Sequence, residues 1–234
     1  MKAIKLACTL LVLTIAATAI GQQRVPAQSE TGSIMWKIDN LKEIGGNQAT
    51  VFGKPQVIKI PAGSAVLFDG VDEGLVVNTN PVSGAQAFTV EAVFRPDPGG
   101  SAEQRWFHIQ EETGDNRILL ETRLVGDQWF LDTFIKSGEN SHALFAEKFK
   151  HHVGEWYHVA LVYDGRTMRH FVNGQEELSA PLAIKPLAAG RTSIGVRLNR
   201  VFWFKGAISK ARFTPRALTP KEFMAGKQQD RPPV

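Results

Sequence analysis

Three short stretches of this sequence carry side chains suited to proton abstraction and anion neutralisation. The run Arg105-Trp-Phe-His-Ile-Gln110 alternates, so an extended chain would put Trp106, His108 and Gln110 on one face. By the same rule Arg117, Glu121 and Arg123 share a face, as do Gln128, Asp132 and Lys136. Strands adjacent in sequence are often adjacent in a sheet, and the three rows would then form one polar, partly aromatic surface. Elimination on an acidic sugar chain needs a His or Tyr to take the proton and an Arg or Gln to neutralise a carboxylate; His108, Gln110 and Arg123 supply both. An antiparallel sheet with one wet face shows the same alternation, with ordinary cross-strand Arg–Glu pairs, and both explanations stand.

A second candidate is Arg197-Leu-Asn-Arg-Val-Phe-Trp-Phe-Lys205. An exposed Trp203 ring beside Arg197, Asn199 and Arg200 would offer an apolar platform to sugar C–H groups and polar groups to the hydroxyls. Alternation either buries Phe202 and Phe204 and leaves Trp203 outside, or the reverse, in which case Trp203 plugs the core. The histidines read more plainly. His151-His152 point opposite ways on a strand, and a metal there would need a third ligand such as His142 or His158, so the pair reads as a solvated basic loop. His158 and His170 read as hydrogen-bonded structural residues and Trp156 as core. No metal or other cofactor is expected.

The elements that must position these groups are strands. Val57–Ile60, Ala65–Phe68, Gly74–Asn78, Phe88–Phe94, Arg105–Ile109, Ile118–Arg123 and Trp129–Ile135 are rich in Val, Ile, Phe and Trp and are separated by Gly, Asp, Asn and Pro. From Trp156 to Gln175 a three-stranded meander is expected, because Asp164-Gly165 and Asn173-Gly174 are the dipeptides of two-residue hairpin loops, whose central residues take positive φ. Thr219-Pro-Lys-Glu222 starts one short helix, ending by about Gln228. The class is all-β: a two-sheet antiparallel jelly-roll sandwich with one short C-terminal helix, spanning 33–228 and followed by a tail at 229–234.

Ahead of it, Lys2 and Lys5 precede an apolar run from Leu6 to Ala17 that ends in Ala19-Ile20-Gly21. This has the form of a signal peptide over 1–21, too short for the ~20 residues of a membrane span. A secreted or periplasmic chain is expected, with a flexible leader at 22–32 and no transmembrane segment. Cleavage would remove two of the 27 basic residues and none of the 23 acidic ones, halving the formal charge of +4. With no basic cluster and no recognition motif, nucleic acid is not an expected partner. The single cysteine, Cys8, lies in the signal, so no disulfide is expected.

Specific segments come in a familiar order. Phe68-Asp-Gly-Val-Asp72, Phe88-Thr-Val-Glu-Ala92, Trp156-Tyr-His-Val-Ala-Leu-Val-Tyr-Asp-Gly165, Phe171-Val-Asn-Gly174, Gly206-Ala-Ile208 and Arg216-Ala-Leu-Thr-Pro220 resemble laminin-G-like domains of the concanavalin A-like lectin/glucanase superfamily. The resemblance runs from about Ala65 to Phe223. It implies a jelly roll whose concave face or edge loops take carbohydrate or protein partners, without fixing one chemistry. Relatives often follow the late Gly-x-Ile with an acidic pair that helps hold calcium. Here Ser209-Lys210 stands in that place, so a structural calcium is not expected there. The Glu-x-Asp-x-x-Glu pattern of the superfamily's retaining glycosidases is missing: Glu91 reads as solvent-facing or paired with an Arg, and Glu111-Glu112 as a turn. The function expected is an exported carbohydrate-binding domain without catalysis, through Trp203, Arg197, Asn199, Arg200, Trp106, His108, Gln110 and Arg123. The alternatives are a polysaccharide lyase or hydrolase on the same fold, or a protein-interaction domain of an envelope assembly.

Overall fold

A computed structural model describes residues 32–224. The expected signal segment, all but the last residue of the expected leader, the far end of the expected helix and the expected tail lie outside the described residues. In chain order the strands are β1 (Ile34–Lys37), β2 (Glu43–Ile44), β3 (Asn47–Phe52), β4 (Gln56–Ile60), β5 (Gly63–Asp69), β6 (Gly74–Val77), β7 (Phe88–Pro96), β8 (Glu103–Glu111), β9 (Arg117–Val125), β10 (Gln128–Ser137), β11 (Asn140–Phe145), β12 (His151–His152), β13 (Tyr157–Tyr163), β14 (Thr167–Val172), β15 (Gln175–Pro181), β16 (Gly190–Ile194) and β17 (Lys205–Thr214). They form two antiparallel sheets. One has the order β15-β14-β13-β7-β17-β5-β4, with β1 also paired to β17; the other runs β11-β10-β9-β8-β16-β6-β3-β2, with β12 also paired to β10.

The period of two along each strand builds the core. Val90, Ala92 and Phe94 of β7 and Val159 and Leu161 of β13 point inward from the eight-stranded sheet, and Ile118, Leu120, Trp129 and Leu131 meet them from the nine-stranded one. Phe94 stacks on Trp106 with centroids 4.3 Å apart and meets Trp129 edge-on at 5.1 Å. A buried polar pair, His170 Nδ1 and Thr133 Oγ1 at 3.1 Å, ties the sheets together. Burial pushes the His170 pKa down to about 3.

The outer face of the eight-stranded sheet is covered by the chain's own C-terminal segment. Leu218 and Phe223 pack on Ala160, Val162 and Phe171. Under this cover Glu91 is fully buried, accepting from the Arg212 guanidinium, from His158 Nε2 at 3.0 Å and from the Met224 N–H at 2.7 Å. It is paired with an arginine, as one of its two expected placements had it, but is nowhere near solvent. Burial opposes its ionisation, and the bonds from His158, Arg212 and Met224 outweigh burial and hold the carboxyl below its usual range.

Local chemistry departs from expectation at four places. Asn173 and Gly174 take φ of 49° and 81° as a two-residue turn should, but of Asp164-Gly165 only Gly165 is left-handed, at 97°. The Asp164 carboxylate accepts the N–H groups of Arg166 and Thr167 at 2.9 and 2.8 Å, stabilising a longer loop from 164 to 166. The expected helix is one 3-10 turn, Pro220–Glu222, with the Thr219 N–H donating to Glu222 at 2.9 Å. Phe223 is already extended, its ring edge-on to Phe171 at 5.1 Å, where a continued helix would lift it off the sheet. His151 and His152 form β12 rather than a loop, and His151 Nε2 lies 2.7 Å from a Glu177 carboxylate oxygen. Trp156, expected in the core, is half-buried, with the Arg95 guanidinium 5.6 Å from its ring.

Candidate functional site

The outer face of the nine-stranded sheet is shaped by a bulge in β8. Arg105 pairs with Glu121 and Phe107 with Leu120, so Trp106 is the extra residue and the alternation shifts by one. Trp106 and Phe107 therefore both point inward, while Arg105, His108 and Gln110 all point outward. The expected face shared by Trp106, His108 and Gln110 does not form. Trp106 is 0% exposed, its ring covered by Phe94 and Phe204.

Register then sets the outward rows. Arg105, Glu121 and Asp132 lie side by side across β8, β9 and β10, with Phe145 of β11 beyond them. His108, Leu119, Phe134 and Ala143 form the next row, and Gln110, Arg117 and Lys136 the one after. Cross-strand neighbours sit ~5 Å apart, so opposite charges placed opposite one another must pair. Arg123 clasps Asp132 with Nε at 2.8 Å and Nη2 at 2.7 Å, and also meets Glu103. Arg105 Nε lies 3.0 Å from Glu121 Oε2, off the N–H axis; Arg105 Nη1 and Nε and Glu121 Oε2 are buried without a hydrogen bond.

Two carboxyls side by side in a covered place cannot both ionise freely. Burial first, and then Asp132, push the Glu121 pKa up to about 7 against the pull of Arg105 and Arg123. Asp132 is also raised by burial, with Arg123 holding it back. Burial, followed by the cations Arg197, Arg117 and Arg105, pushes His108 down to about 3. The backbone N–H of Leu198 donates to His108 Nδ1 at 3.0 Å, so the ring's proton sits on Nε2. With its pKa pushed that low and Nδ1 taken by the Leu198 N–H, His108 is a weak base at neutral pH, which speaks against it as the proton acceptor.

The segment from Gly195 to Lys205 folds back on β8 and completes the site. Gly195 N–H donates to the Trp106 carbonyl at 2.9 Å, Arg105 N–H to Phe202 at 2.9 Å, and Lys205 N–H to Gln104 Oε1 at 2.7 Å. Arg200 and Phe202 adopt φ of 59° and 60°, a conformation side chains rarely take. These two angles break the alternation, so neither expected arrangement holds. Phe202 is 37% exposed beneath the Arg105 guanidinium, Phe204 is 0% exposed in the core, and Trp203 is half-buried.

Together these elements enclose a hollow of about 150 Å³, where Arg105, Arg117, Arg123 and Arg197 surround Glu121 and Asp132, with Leu119, Phe134 and Ala143 as its apolar wall. The Arg117 guanidinium lies 5.0 Å from the Phe134 ring and that of Arg123 5.6 Å from Phe145. Of the residues expected to bind, Arg123 and Arg197 line this hollow. Asn199 and Arg200 are exposed, Arg200 with its guanidinium 4.4 Å from the Phe52 ring of β3, and Gln110 is bonded to the Gly114 carbonyl at 3.0 Å. Among the described residues no group of three or more His, Cys, Asp or Glu side chains is placed to hold a metal ion. No helix among them is long and apolar enough to cross a membrane.

Fold and site thus define a two-sheet sandwich with a polar hollow on one outer face. The chain belongs to the concanavalin A-like lectin/glucanases superfamily, whose laminin G-type family model matches residues 69–223. Solved structures agree on the fold. Domain 4 of AbnA, a GH43 extracellular arabinanase from Geobacillus stearothermophilus solved with arabinotriose, is 20% identical, with a TM-score of 0.60 over 81% of this chain and 94% of that one. The Botulinum neurotoxin serotype D binding domain is 12% identical, with a TM-score of 0.60 over 81% of this chain and 49% of that one, so this chain spans about half its length. A heptameric SAP-like pentraxin from Limulus polyphemus is 20% identical, with a TM-score of 0.54 over 67% and 77% of the two chains. Among curated proteins none matches this sequence.

Proposed function

We propose that the protein is an exported carbohydrate-binding domain that holds a glycan without converting it, and that the hollow and its aromatic rim receive the sugar. The observation that carries this is the lining: guanidinium and carboxyl groups converge beside half-buried Phe134, with exposed Phe145 next to Arg123 and exposed Phe202 next to Arg105. Rings for C–H faces beside groups for hydroxyls are what sugar recognition needs. The hollow is smaller than the ~300 Å³ at which pockets begin to enclose whole small ligands, so a sugar chain would lie across the sheet and insert one substituent. A domain of the same fold solved with arabinotriose supports the class of ligand. Export rests on the N-terminal segment Met1–Gly21, and intact-mass measurement of protein recovered outside the cytoplasm should find Gln22 at the N-terminus.

Retention on a glycan panel, followed by product analysis, tests the function. Retention without new reducing or unsaturated ends is expected. One observation favours a second reading, hydrolysis: two carboxyls, Glu121 with its pKa raised to about 7 and Asp132, stand directly opposite each other, and glycoside hydrolysis uses a carboxyl pair. Against it, the two residues are only 3% and 2% exposed, and Asp132 is clasped by Arg123. Release of reducing ends that stops in Glu121→Gln would establish the hydrolase.

A further inference from the structure

The cations of the hollow outnumber what its own carboxylates neutralise. Arg123 is satisfied by Asp132 and Glu103. Lys136 holds Asp115 at 2.6 Å, leaving Arg117 a longer contact with that carboxylate at 3.4 Å. Arg197 has no ion pair and no side-chain hydrogen bond among the described residues, although it lines the hollow beside Arg105 and Arg117. Arg105 Nη1 and Arg117 Nε are buried N–H donors without an acceptor. Folded proteins leave few such donors, and of the carboxyls beside them Asp132 is clasped by Arg123 and the Glu121 pKa is raised to about 7, so the like charges of Arg105, Arg117 and Arg197 are only partly offset. Burial, and then Arg117 and Arg105, lower the Arg197 pKa, which is the same crowding seen from the proton's side.

We propose that the hollow is a subsite for an oxyanion substituent of the glycan, a carboxylate or a sulfate ester, received by Arg105, Arg117 and Arg197. This rests on the glycan-binding function above and narrows its ligand. Planar guanidiniums match such oxyanions with paired, charge-assisted bonds, and the open volume suits one substituent rather than a whole sugar. The apolar wall of Leu119 and Phe134 lowers the local dielectric and strengthens those bonds.

The test is calorimetric titration of the protein with matched oligosaccharides at low and at physiological salt: an oligogalacturonate against its methyl ester, and a sulfated galactan oligomer against its desulfated form. The anionic member of at least one pair should bind about tenfold more tightly than its neutral match, the scale of one charge-assisted bond, and lose that advantage as salt rises. Which pair responds tells carboxylate from sulfate. Arg197→Gln should cut the preference about tenfold without lowering the thermal midpoint, since the side chain holds nothing in place. Arg117→Gln should cut the preference as well, with some loss of stability, since this guanidinium also donates to the Asp115 carbonyl at 2.8 Å. Equal binding of charged and neutral members overturns the oxyanion subsite and leaves the glycan-binding function standing. No binding by any member overturns both. Inorganic sulfate binding as tightly as the oligosaccharides, or an undiminished preference in Arg197→Gln, also overturns the subsite.

Discussion

Arg105 and Phe202 are joined twice. The backbone N–H of Arg105 donates to the Phe202 carbonyl at 2.9 Å, and the Arg105 guanidinium carbon lies 3.5 Å from the Phe202 ring centroid. The ring is held there at a φ of 60°, where a phenylalanine is strained by roughly 1–3 kcal/mol. Phe202→Gly relieves that strain while losing a cation–π contact of about 0.5–1 kcal/mol, and Phe202→Ala loses the contact and keeps the strain. Urea denaturation should rank the glycine variant above the alanine variant by about 1 kcal/mol, with weaker glycan retention in both. An alanine variant more stable than the glycine one would show that the loop is not strained.

Trp106→Ala empties a fully buried site between Phe94 and Phe204 and should cost about 3–5 kcal/mol. Trp203 is half-buried, and Trp203→Ala should cost clearly less, about 2 kcal/mol or below. If Trp203 is a sugar platform, its removal also weakens glycan affinity by about 1 kcal/mol at unchanged fold. Chemical denaturation and titration of both variants separate packing from binding.

Stability should rise with pH to about 7 and level off above it. The Glu121 pKa rises on folding from 4.5 to about 7, so its contribution is complete at low pH and is lost as pH rises through about 7. His108 and His170 fall on folding from 6.5 to about 3, so theirs is complete above 6.5 and is lost as pH falls toward 3. Asp132, Arg105, Arg123 and Arg197 are the charged groups that act on Glu121. Urea midpoints at about pH 5, 6.5 and 8 should trace this rise and its levelling, and in Glu121→Gln the rise should steepen, because the opposing loss from Glu121 is gone. An equally steep rise in parent and Glu121→Gln would contradict the assignment to Glu121.

Gly174→Val should destabilise the domain by about 1–3 kcal/mol. An added Cβ at Gly174 meets nothing within 4 Å, so the cost is the backbone's alone, at a φ of 81°. Equal stability of parent and variant would mean the Asn173-Gly174 turn takes another form in solution.

Thermal unfolding with and without a calcium chelator should coincide. Ser209 sits at the irregular pairing of β17 with β7 and donates to the Val93 carbonyl at 3.2 Å, so its hydroxyl serves the backbone. A fall of more than about 5 °C on chelation would show an ion held by other oxygens.

The strands were legible because their signals are local: β-branched and aromatic runs between Gly, Asp and Asn, and an Asn-Gly turn that behaves as its chemistry requires. Parts of the site were legible as well. Arg117, Glu121 and Arg123 share their face because β9 alternates without interruption, and β8, β9 and β10 pair in sequence order. Trp106 was placed on one face with His108 and Gln110 because no sequence signal marks the bulge between Arg105 and Phe107. Nor does alternation foretell the left-handed angles at Arg200 and Phe202, which arise only when the segment is tied to β8. The burial of Glu91 was hidden for a related reason, since its donors include a backbone N–H more than a hundred residues away.

That last bond decides where the foldable unit ends. The family match stops at Phe223, yet Glu91 takes its third donor from Met224, and Arg212 also bonds the Glu222 carbonyl at 2.7 Å. A fragment cut before Leu218 would bare Ala160, Val162 and Phe171 and leave a buried carboxylate short of a donor, so it should be recovered mainly as aggregates. Any fusion partner at this end belongs beyond Met224.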